Sequence, residues 1–173
     1  MSLTLHTTVG DIKVELFIDV APVACENFLA LAASGAYNGT SFHRVIPEFM
    51  IQGGDITGTG KGNVSVWGNT FANETSDVLR FSARGLLAMA NAHPQPDSNG
   101  CQFFLTLDSA PHLNGTTTIF GKVIHGNSTL SAMEAVPVDA DDRPKTPILL
   151  ERVTIHANPL ADQPSPAVLL GQR

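Results

Sequence analysis

Polar and apolar residues alternate along several short stretches of the chain. Two of them, LTLHTT and IKVELF, lie within residues 3–17 and are separated by Val9-Gly10-Asp11, a sequence typical of a tight turn. This pattern predicts a β-hairpin. Six later stretches are rich in β-branched, aromatic or aliphatic residues: SFHRV, FMIQ, LLAMA, QFFLTL, TIFGKVI and LLERVTI. Together with the hairpin, they predict eight strands.

Two other segments have helical spacing of apolar residues. Residues 22–34 start with proline and end before Gly35, which favours a helix with these bounds. Residues 128–136 start with serine and precede Pro137, and we expect a second helix there. The glycines and prolines between the strands favour antiparallel connections over repeated βαβ crossovers. We therefore expect a mainly β fold, a closed eight-stranded antiparallel β-barrel capped by two α-helices.

The length and composition of the chain are typical of one compact domain. It has 173 residues, of which 43% are hydrophobic, enough to bury a substantial core. We assign residues 1–157 to this domain. Residues 158–173 are rich in proline and lack clear periodicity, so we expect a mobile C-terminal tail.

Charge and hydropathy exclude several classes of partner. The formal net charge is -6, and binding to phosphates depends on clustered Lys and Arg, so we expect no direct nucleic-acid binding. No apolar run approaches the roughly 18 residues that span a bilayer, and no signal peptide is evident at the start. We expect an intracellular, soluble monomer in the nucleus, the cytoplasm or both. Cys25 and Cys101 form no CxxC pair, so reduced thiols are expected.

The usual motifs of cofactor and metal sites do not fit this chain. The glycine-rich residues 58–62 resemble a nucleotide-binding loop, but a P-loop requires glycine where Asp55 stands and Ser or Thr where Gly62 stands. A dinucleotide fingerprint would require glycine at Asn63. The six histidines show no metal-ligand spacing, and no GxSxG motif is present. We expect a surface loop at residues 58–62, and neither cofactor nor metal.

One arginine stands out because it lies in a segment dense in apolar side chains. Arg44 belongs to FHRVIPEFMIQGGD, residues 42–55. It could be structural, with its stem packed on the barrel and its guanidinium paired with an acidic neighbour. It could equally serve a site. Composition alone leaves both interpretations open.

Several blocks of the sequence resemble a known family. FHRVIPEFMIQGGD, LLAMANA, NGCQFFLTL and TIFGKVIHG, in this order, are similar to the signature blocks of the cyclophilin-type peptidyl-prolyl cis-trans isomerases. The resemblance covers roughly residues 2–157. SLTLHTTVGDIKVELF, APHL and VTIHANPLA look most similar to cyclophilin J, a small single-domain type associated with spliceosomes.

The resemblance implies rotation about X-Pro peptide bonds and a set of site residues. The implied catalytic residues are Arg44, Phe49, Gln52 and Asn91. The implied substrate-binding residues are Met50, Ala90, Ala92, Gln102, Phe104, His112 and Leu113. Arg44 would stabilise the twisted amide, and Gln52 would orient Arg44. Asn91 would hold the substrate through its main chain, while Phe49, Met50, Phe104 and Leu113 would form an apolar pocket for the proline ring.

Two positions and the length of one loop depart from the common family pattern. His112 stands where tryptophan is common, which removes an indole donor and a large apolar face. Thr117 stands where many members have a pocket histidine, and ANAHPQPDSNG is two residues longer than the common ANAGPNTNG loop. We therefore expect cyclosporin-type macrocycles to bind weakly if at all.

Two main hypotheses of function follow. The first is an isomerase that assists protein folding or switches a partner, with proline-containing peptides and proteins as substrates and spliceosomal proteins as candidate partners. The alternative is a module that binds proline-containing loops in a ribonucleoprotein assembly, with incidental turnover. A third reading, a nucleotide-binding protein, rests only on residues 58–62.

Overall fold

The computed structural model describes residues 1–92 and 95–156. This part of the chain contains nine β-strands, two α-helices and one 3₁₀ turn at Pro111–Leu113. In chain order these are β1 (Ser2–Thr7), β2 (Gly10–Leu16), α1 (Pro22–Ala33), β3 (Thr40–Ser41), β4 (Arg44–Ile46), β5 (Met50–Gly53), β6 (Leu86–Met89), β7 (Phe103–Thr106), β8 (Ile119–His125), α2 (Asn127–Glu134) and β9 (Leu149–Ile155).

The strands form one curled antiparallel sheet. Its order is β3-β9-β1-β2-β8-β6-β7-β5-β4, so the two end strands, β3 and β4, are consecutive in the chain. Only Phe42 and His43 separate them. The predicted mainly β, antiparallel barrel-like fold with two helices is confirmed. The curled sheet forms a half-barrel, because no pairing between its end strands, β3 and β4, closes it in the described part of the chain. The strand count is nine because the predicted strand SFHRV is divided at Phe42 and His43 into two short strands that lie at opposite ends of the hydrogen-bonded order.

The helices match their predicted positions with small shifts. The first ends at Ala33, one residue before its predicted end, and the second spans Asn127–Glu134 instead of 128–136. The second begins earlier because Gly126 has a left-handed φ of 100°. A Cβ atom at Gly126 would lie 2.3 Å from the carbonyl oxygen of Asp11, so glycine is required at this helix start.

The barrel core follows from the alternation along the strands. In the first hairpin, Leu3 faces Val14 and Leu5 faces Ile12 across the register, and all four side chains are fully buried. Helix α1 closes the core with Phe28. The Phe28 ring contacts three other aromatic rings, with centroid distances of 5.2–5.3 Å: Tyr37, Phe103 and Phe120. The interior is thus one contiguous apolar cluster of strand and helix side chains.

Tyr37 carries one of the few polar groups inside this core. The residue is fully buried, and its hydroxyl donates a hydrogen bond of 2.8 Å to the carbonyl oxygen of Cys101. We expect Tyr37→Phe to lower the free energy of unfolding by about 1–2 kcal/mol, because the Cys101 carbonyl loses this donor where water cannot replace it. Urea denaturation measures the change. Val78→Ala, at a side chain that is 89% exposed, is the control and should stay within about 0.5 kcal/mol of the parent. Equal stability of Tyr37→Phe and the parent would contradict the assignment.

Other sequence expectations concern the cysteines, membranes and the tail. Cys25 and Cys101 are both buried and unpaired with each other. None of the helices within residues 1–92 and 95–156 has the length and apolar character needed to cross a membrane. The predicted tail, 158–173, lies outside the described residues, and the proposed division of the chain at residue 157 stays a prediction.

Candidate active site

Strands β4, β5, β7 and β6 carry apolar side chains on both faces of the sheet. Val45, Ile51 and Leu105 are opposite one another in the register and point into the barrel core. Because side chains alternate along a strand, the intervening residues point to the outside. They contribute to a second apolar cluster, which we call the outer cluster. Its buried members are Met50, Phe81, Ala88, Phe104, Ala110 and Ile119. The strands that fill the core therefore also build an apolar surface on the outside of the barrel.

A row of side chains crosses this outer face and carries both charge and apolar surface. Arg44 is opposite Gln52 in the β4–β5 register, and Gln52 is opposite Phe104 in the β5–β7 register. Directly opposite residues of antiparallel strands project from the same face. Arg44 is exposed at the end of the row, whereas Phe104 is only 6% exposed. The row thus places a cation at the rim of an apolar floor.

The guanidinium of Arg44 has no carboxylate partner among the described residues. Their ion pairs are His6–Asp11, Arg84–Glu134 and Lys122–Glu15. The interpretation of Arg44 as a structural, ion-paired arginine is therefore not the one that the structure supports. The exposed guanidinium lies beside the outer cluster, and the surface formed by the row Arg44–Gln52–Phe104 and this cluster is called the groove below.

A chain of amides organises the surroundings of Arg44. Nε2 of Gln52 donates to Oε1 of Gln102 at 2.8 Å, and Nε2 of Gln102 donates to the carbonyl oxygen of Gly62 at 2.7 Å. The buried Gln102 also donates its main-chain N–H to Oδ1 of Asn63 at 3.0 Å. No side-chain hydrogen bond joins Gln52 to Arg44 in the described part of the chain. Gln102 instead accepts the side-chain N–H of Gln52. The side-chain oxygen Oε1 of Gln52, the residue directly opposite Arg44 in the register, remains as an acceptor.

The glycine-rich segment before Gly62 is an anchored loop. Oδ1 of Asp55 accepts hydrogen bonds from the N–H and the hydroxyl of Thr57, at 2.9 and 2.7 Å, and Oδ2 accepts the N–H of Gly60. Burial alone would raise the pKa of Asp55, but these hydrogen bonds outweigh it and lower the pKa. An ionised Asp55 thus stabilises the loop through these hydrogen bonds, and at the end of the loop the carbonyl oxygen of Gly62 accepts the Gln102 side chain. This geometry gives the loop a structural role beside the site and gives the nucleotide-binding reading no support.

Two aromatic contacts form the walls of the groove. The rings of Phe49 and His112 lie with their centroids 5.4 Å apart at an interplanar angle of 44°. The rings of Phe81 and Phe104 are stacked, with centroids 6.1 Å apart and an angle of 14°. His112 is exposed and comes from the 3₁₀ turn. Two residues of the predicted proline pocket therefore make aromatic contacts: Phe104 in a buried stack and Phe49 with an exposed imidazole.

The segment after β6 forms another edge of the groove. The N–H of Ala90 donates to the carbonyl of Gln102 at 3.0 Å, and Nδ2 of Asn91 donates to the carbonyl of Thr116 at 2.9 Å. The main-chain N–H and C=O of Asn91 have no hydrogen-bond partner among the described residues. Ala92 is exposed. An extended peptide can therefore pair with the Asn91 main chain, while the Asn91 side chain is engaged in the fold.

The structure brings most of the predicted site residues into one region. Met50 and Phe104 are buried in the outer cluster, and Phe49, Ala90 and Leu113 pack against it. The contacts given above link five other predicted residues to this region: Arg44, Gln52, Asn91, Gln102 and His112. Ala92 follows Asn91 in the chain, and its N–H donates to Oγ of Ser98 at 2.8 Å. A separate cavity of about 480 Å³, lined by His43, Asp55 and Arg143 among others, contains none of the predicted site residues. Part of the long loop, residues 93–94, lies outside the described residues.

Sequence reasoning missed two residues of this region. Phe81 is 2% exposed and forms the floor beside Phe104, but it lies in an irregular segment with no periodicity to mark it. Asn63 donates from Nδ2 to the carbonyls of Ser98 and Ala90, at 2.8 and 3.4 Å, and thereby joins the glycine-rich loop to the groove edge. Its position directly after a glycine-rich loop indicated only a turn. The departure at Thr117 lies in the interior, where this residue is 6% exposed.

Comparisons with known proteins agree on one family. The family described as cyclophilin type peptidyl-prolyl cis-trans isomerase/CLD matches residues 2–155. A relative from Arabidopsis thaliana, named peptidyl-prolyl cis-trans isomerase CYP18-1, is 59% identical over 161 residues, which are 93% of this chain and 99% of the relative. A relative from Gallus gallus, named peptidyl-prolyl cis-trans isomerase-like 3, is 52% identical over 162 residues, with the same two coverages.

A solved structure has the same fold. The crystal structure of a cyclophilin type peptidyl-prolyl cis-trans isomerase from Cryptosporidium parvum, in the presence of the dipeptide Ala-Pro, superimposes with a TM-score of 0.88 at 47% identity. The match covers 91% of this chain and all of the other chain. The predicted resemblance is confirmed at the level of sequence and fold.

Proposed function

This chain belongs to the cyclophilin-type peptidyl-prolyl cis-trans isomerases, and from that premise we propose that it catalyses X-Pro rotation with the guanidinium of Arg44. The observation that carries the proposal is the row Arg44–Gln52–Phe104 on the outer face of the sheet. It sets an arginine that has no ion pair with any described residue beside a buried apolar floor. A proline ring can occupy the floor while its amide faces the cation.

The chemistry of the reaction requires little beyond this arrangement. Rotation about the amide has a barrier of about 18–20 kcal/mol, which arises from resonance between the nitrogen lone pair and the carbonyl. In the twisted state the resonance is lost, and the prolyl nitrogen becomes pyramidal and basic. A fixed donor that meets this nitrogen stabilises the twisted state more than either planar isomer. No bond to a heavy atom breaks, and the reaction consumes no nucleophile.

Each neighbouring residue has a role in this proposal. The outer cluster, with Met50, Phe104 and Leu113, holds the proline ring, and Phe49 closes the pocket against His112. Gln52, held by Gln102, presents an acceptor to Arg44. The main chain of Asn91 pairs with the peptide. The ring is thereby fixed while the carbonyl side of the amide turns.

NMR exchange spectroscopy on a panel of X-Pro peptides tests this function directly. We expect exchange cross-peaks between cis and trans forms in the presence of catalytic amounts of the protein, because uncatalysed exchange takes tens to hundreds of seconds. The same spectra report binding through chemical-shift changes. Shift changes without exchange would favour the alternative, a binding module for proline-containing loops.

The isomerase rate should be nearly independent of pH between about pH 6 and 8, because no residue has to gain or lose a proton. Burial, and then the nearby charge of Arg143, lower the pKa of His43, the residue next to Arg44. A His43 pKa below its usual value favours the neutral imidazole in this range, so a charge change of His43 beside the site is disfavoured. Rates measured with a proline peptide at fixed ionic strength test this. A histidine-like limb near pH 6.5 that persists in His112→Trp would contradict the mechanism.

The cellular setting is proposed on resemblance alone. The similarity to the spliceosome-associated cyclophilin J type suggests proline-containing loops of spliceosomal proteins as substrates in an intracellular setting, with folding assistance as a second role. Affinity capture with the parent protein and with Arg44→Ala provides the test. Partners held through the groove should be competed off by a short X-Pro peptide, and capture that the peptide does not affect would contradict substrate-like binding.

A further inference from the structure

The turn between β4 and β5 has an unusual backbone. The N–H of Phe49 donates to the carbonyl of Ile46 at 3.1 Å, Pro47 occupies the second position, and Glu48 at the third has a φ of 63°. These are the features of a type II turn, in which glycine or asparagine normally occupies the third position. A residue with a Cβ atom is strained there, because the left-handed conformation brings Cβ close to the carbonyl oxygen. Something outside the turn must compensate for glutamate at this position.

The compensating contact comes from the far end of the second helix. Oε2 of Glu134, the last residue of α2, accepts the main-chain N–H of Glu48 at 2.8 Å. Oε1 of Glu134 accepts from Nη1 of Arg84 at 2.9 Å. The hydrogen bond from Glu48, followed by the Arg84 contact, holds the pKa of Glu134 below its usual range. Glu134 is thus an ionised acceptor for the strained peptide group, and such charge-assisted bonds are stronger than neutral ones.

Arg84 is itself fixed on several sides. Besides Glu134, its guanidinium donates to Oδ1 of Asn127 at 3.1 Å, to Oγ of Ser131 at 3.0 Å and to the carbonyl of Leu107 at 3.2 Å. Two of these partners lie on α2, which also carries Glu134. The arginine therefore locks the Glu134 carboxylate to a rigid element instead of leaving it as a free surface side chain.

The same group of contacts encloses Phe49. On one side, the preceding N–H of Glu48 is held by Glu134. On the other, the carbonyl of Phe49 accepts the N–H of Leu107 at 2.8 Å, and the Leu107 carbonyl is the one that Arg84 contacts. Phe49 is the residue whose ring meets His112 at the groove. The turn also joins the strand of Arg44 to the strand of Met50, so its conformation affects the register of the hairpin.

We propose that Glu134, held by Arg84, is a positioning residue that stabilises the left-handed turn at Glu48 and thereby fixes the Phe49 wall of the groove. The inference rests on the proposed function, since the role of Phe49 belongs to it. Glu134 lies at the end of a helix, and within the described residues its carboxylate is hydrogen-bonded to Glu48 and Arg84, so its influence on turnover passes through the turn.

A double-mutant cycle tests the proposal. We expect Glu134→Ala to lower kcat/KM for an X-Pro peptide by about three- to tenfold, because a slightly misplaced wall loses near-attack geometry. In a Glu48→Gly background the same substitution should lower kcat/KM by less than about twofold, since glycine adopts positive φ without support. Glu134→Gln retains an acceptor oxygen and should restore part of the activity in the otherwise unchanged protein.

Asp142 provides a matched control for this cycle. It is the other non-glycine residue with positive φ in the described part of the chain, at 61°, and Glu134 does not contact it. Asp142→Gly relieves the same kind of strain elsewhere. In this background Glu134→Ala should therefore lower kcat/KM as much as it does in the parent protein. Rescue by Asp142→Gly as well as by Glu48→Gly would indicate a general effect on stability and would overturn the proposal.

Further measurements complete the test. The proposal is overturned if Glu134→Ala lowers kcat/KM equally with glutamate and with glycine at position 48, or if it does not lower kcat/KM at all. Amide spectra should show altered Glu48, Phe49 and Met50 signals in Glu134→Ala that return in the double variant; unchanged signals would contradict it. If Glu134→Ala does not fold, the same cycle is run with Glu134→Gln. Arg44→Ala, measured in parallel, separates the two proposals, because retained activity there contradicts the role of Arg44 without affecting the cycle at the turn.

Discussion

Arg44→Ala is expected to lower kcat/KM for X-Pro isomerisation by at least about a hundredfold while leaving the fold intact. Losing about 2.7 kcal/mol of transition-state stabilisation corresponds to this factor, and removal of one preorganised donor commonly costs that much. Arg44 is exposed and has no ion pair among the residues that the structure describes, so its removal breaks no salt bridge there. A loss of activity should therefore come without a loss of stability. Exchange spectroscopy measures the rate, and urea denaturation checks the fold.

Arg44→Lys distinguishes charge from geometry. We expect lysine to restore only a small part of the activity, because a point charge on a flexible stem cannot reproduce the planar fork of donors. Arg152→Ala is a suitable control, since Arg152 lies on β9, where its guanidinium donates to Thr154 far from the groove in sequence and strand order. Near-normal activity of Arg44→Ala, or equal losses in Arg44→Ala and Arg152→Ala, would contradict the electrostatic role of Arg44.

His112→Trp is expected to tighten the binding of a cyclosporin-type macrocycle by roughly ten- to a hundredfold, at about 1.4 kcal/mol per factor of ten. His112 is exposed and lies against Phe49, so an indole at this position can extend the apolar wall without displacing a buried group. It also adds an N–H donor at the groove rim. Short-peptide turnover should change much less, since Arg44 and the outer cluster are unaltered.

Calorimetry on the parent and on His112→Trp tests both parts of this prediction when it is combined with the peptide assay. Lys122→Trp, at a partly exposed side chain paired with Glu15 on β2, controls for nonspecific binding to a new surface indole. Tight binding of the macrocycle by the parent protein would show that position 112 does not determine affinity.

The strands were predictable from sequence where one face is buried and the other is polar. The hairpin of β1 and β2 follows from alternation. Its turn lies at Thr8 and Val9, slightly earlier than the predicted Val9-Gly10-Asp11, because Gly10 already pairs with Thr7. The division of SFHRV into two strands was not predictable, because Phe42 is buried just as a strand residue would be. The cause is a change of tertiary hydrogen-bond partner. The N–H of Phe42 donates to the Ile148 carbonyl, whereas the N–H of Val45 donates to the Asp142 carbonyl.

The residues of the site were predicted from the family resemblance, whereas the contacts between them became known only from the structure. Consecutive apolar residues in FMIQ and QFFLTL break the alternation, and such runs are typical of strands with two buried faces. They could have indicated the outer cluster. The contact between Gln52 and Gln102, and the support of Glu48 by Glu134, join residues that are 50 and 86 positions apart. No local pattern encodes such contacts, because they depend on which strands and helices become neighbours.

The strand order also determines when this barrel can close during synthesis. β9 is the last strand of the described chain, yet it pairs with β1 on one side and β3 on the other. Until residues near 155 have left the ribosome, the outer edge of β1 has no partner, and unpaired edges are prone to associate with other chains. Pairing over such sequence separations is slow in comparison with local contacts. The nascent hairpin is therefore the segment for which protection by a chaperone matters most during synthesis.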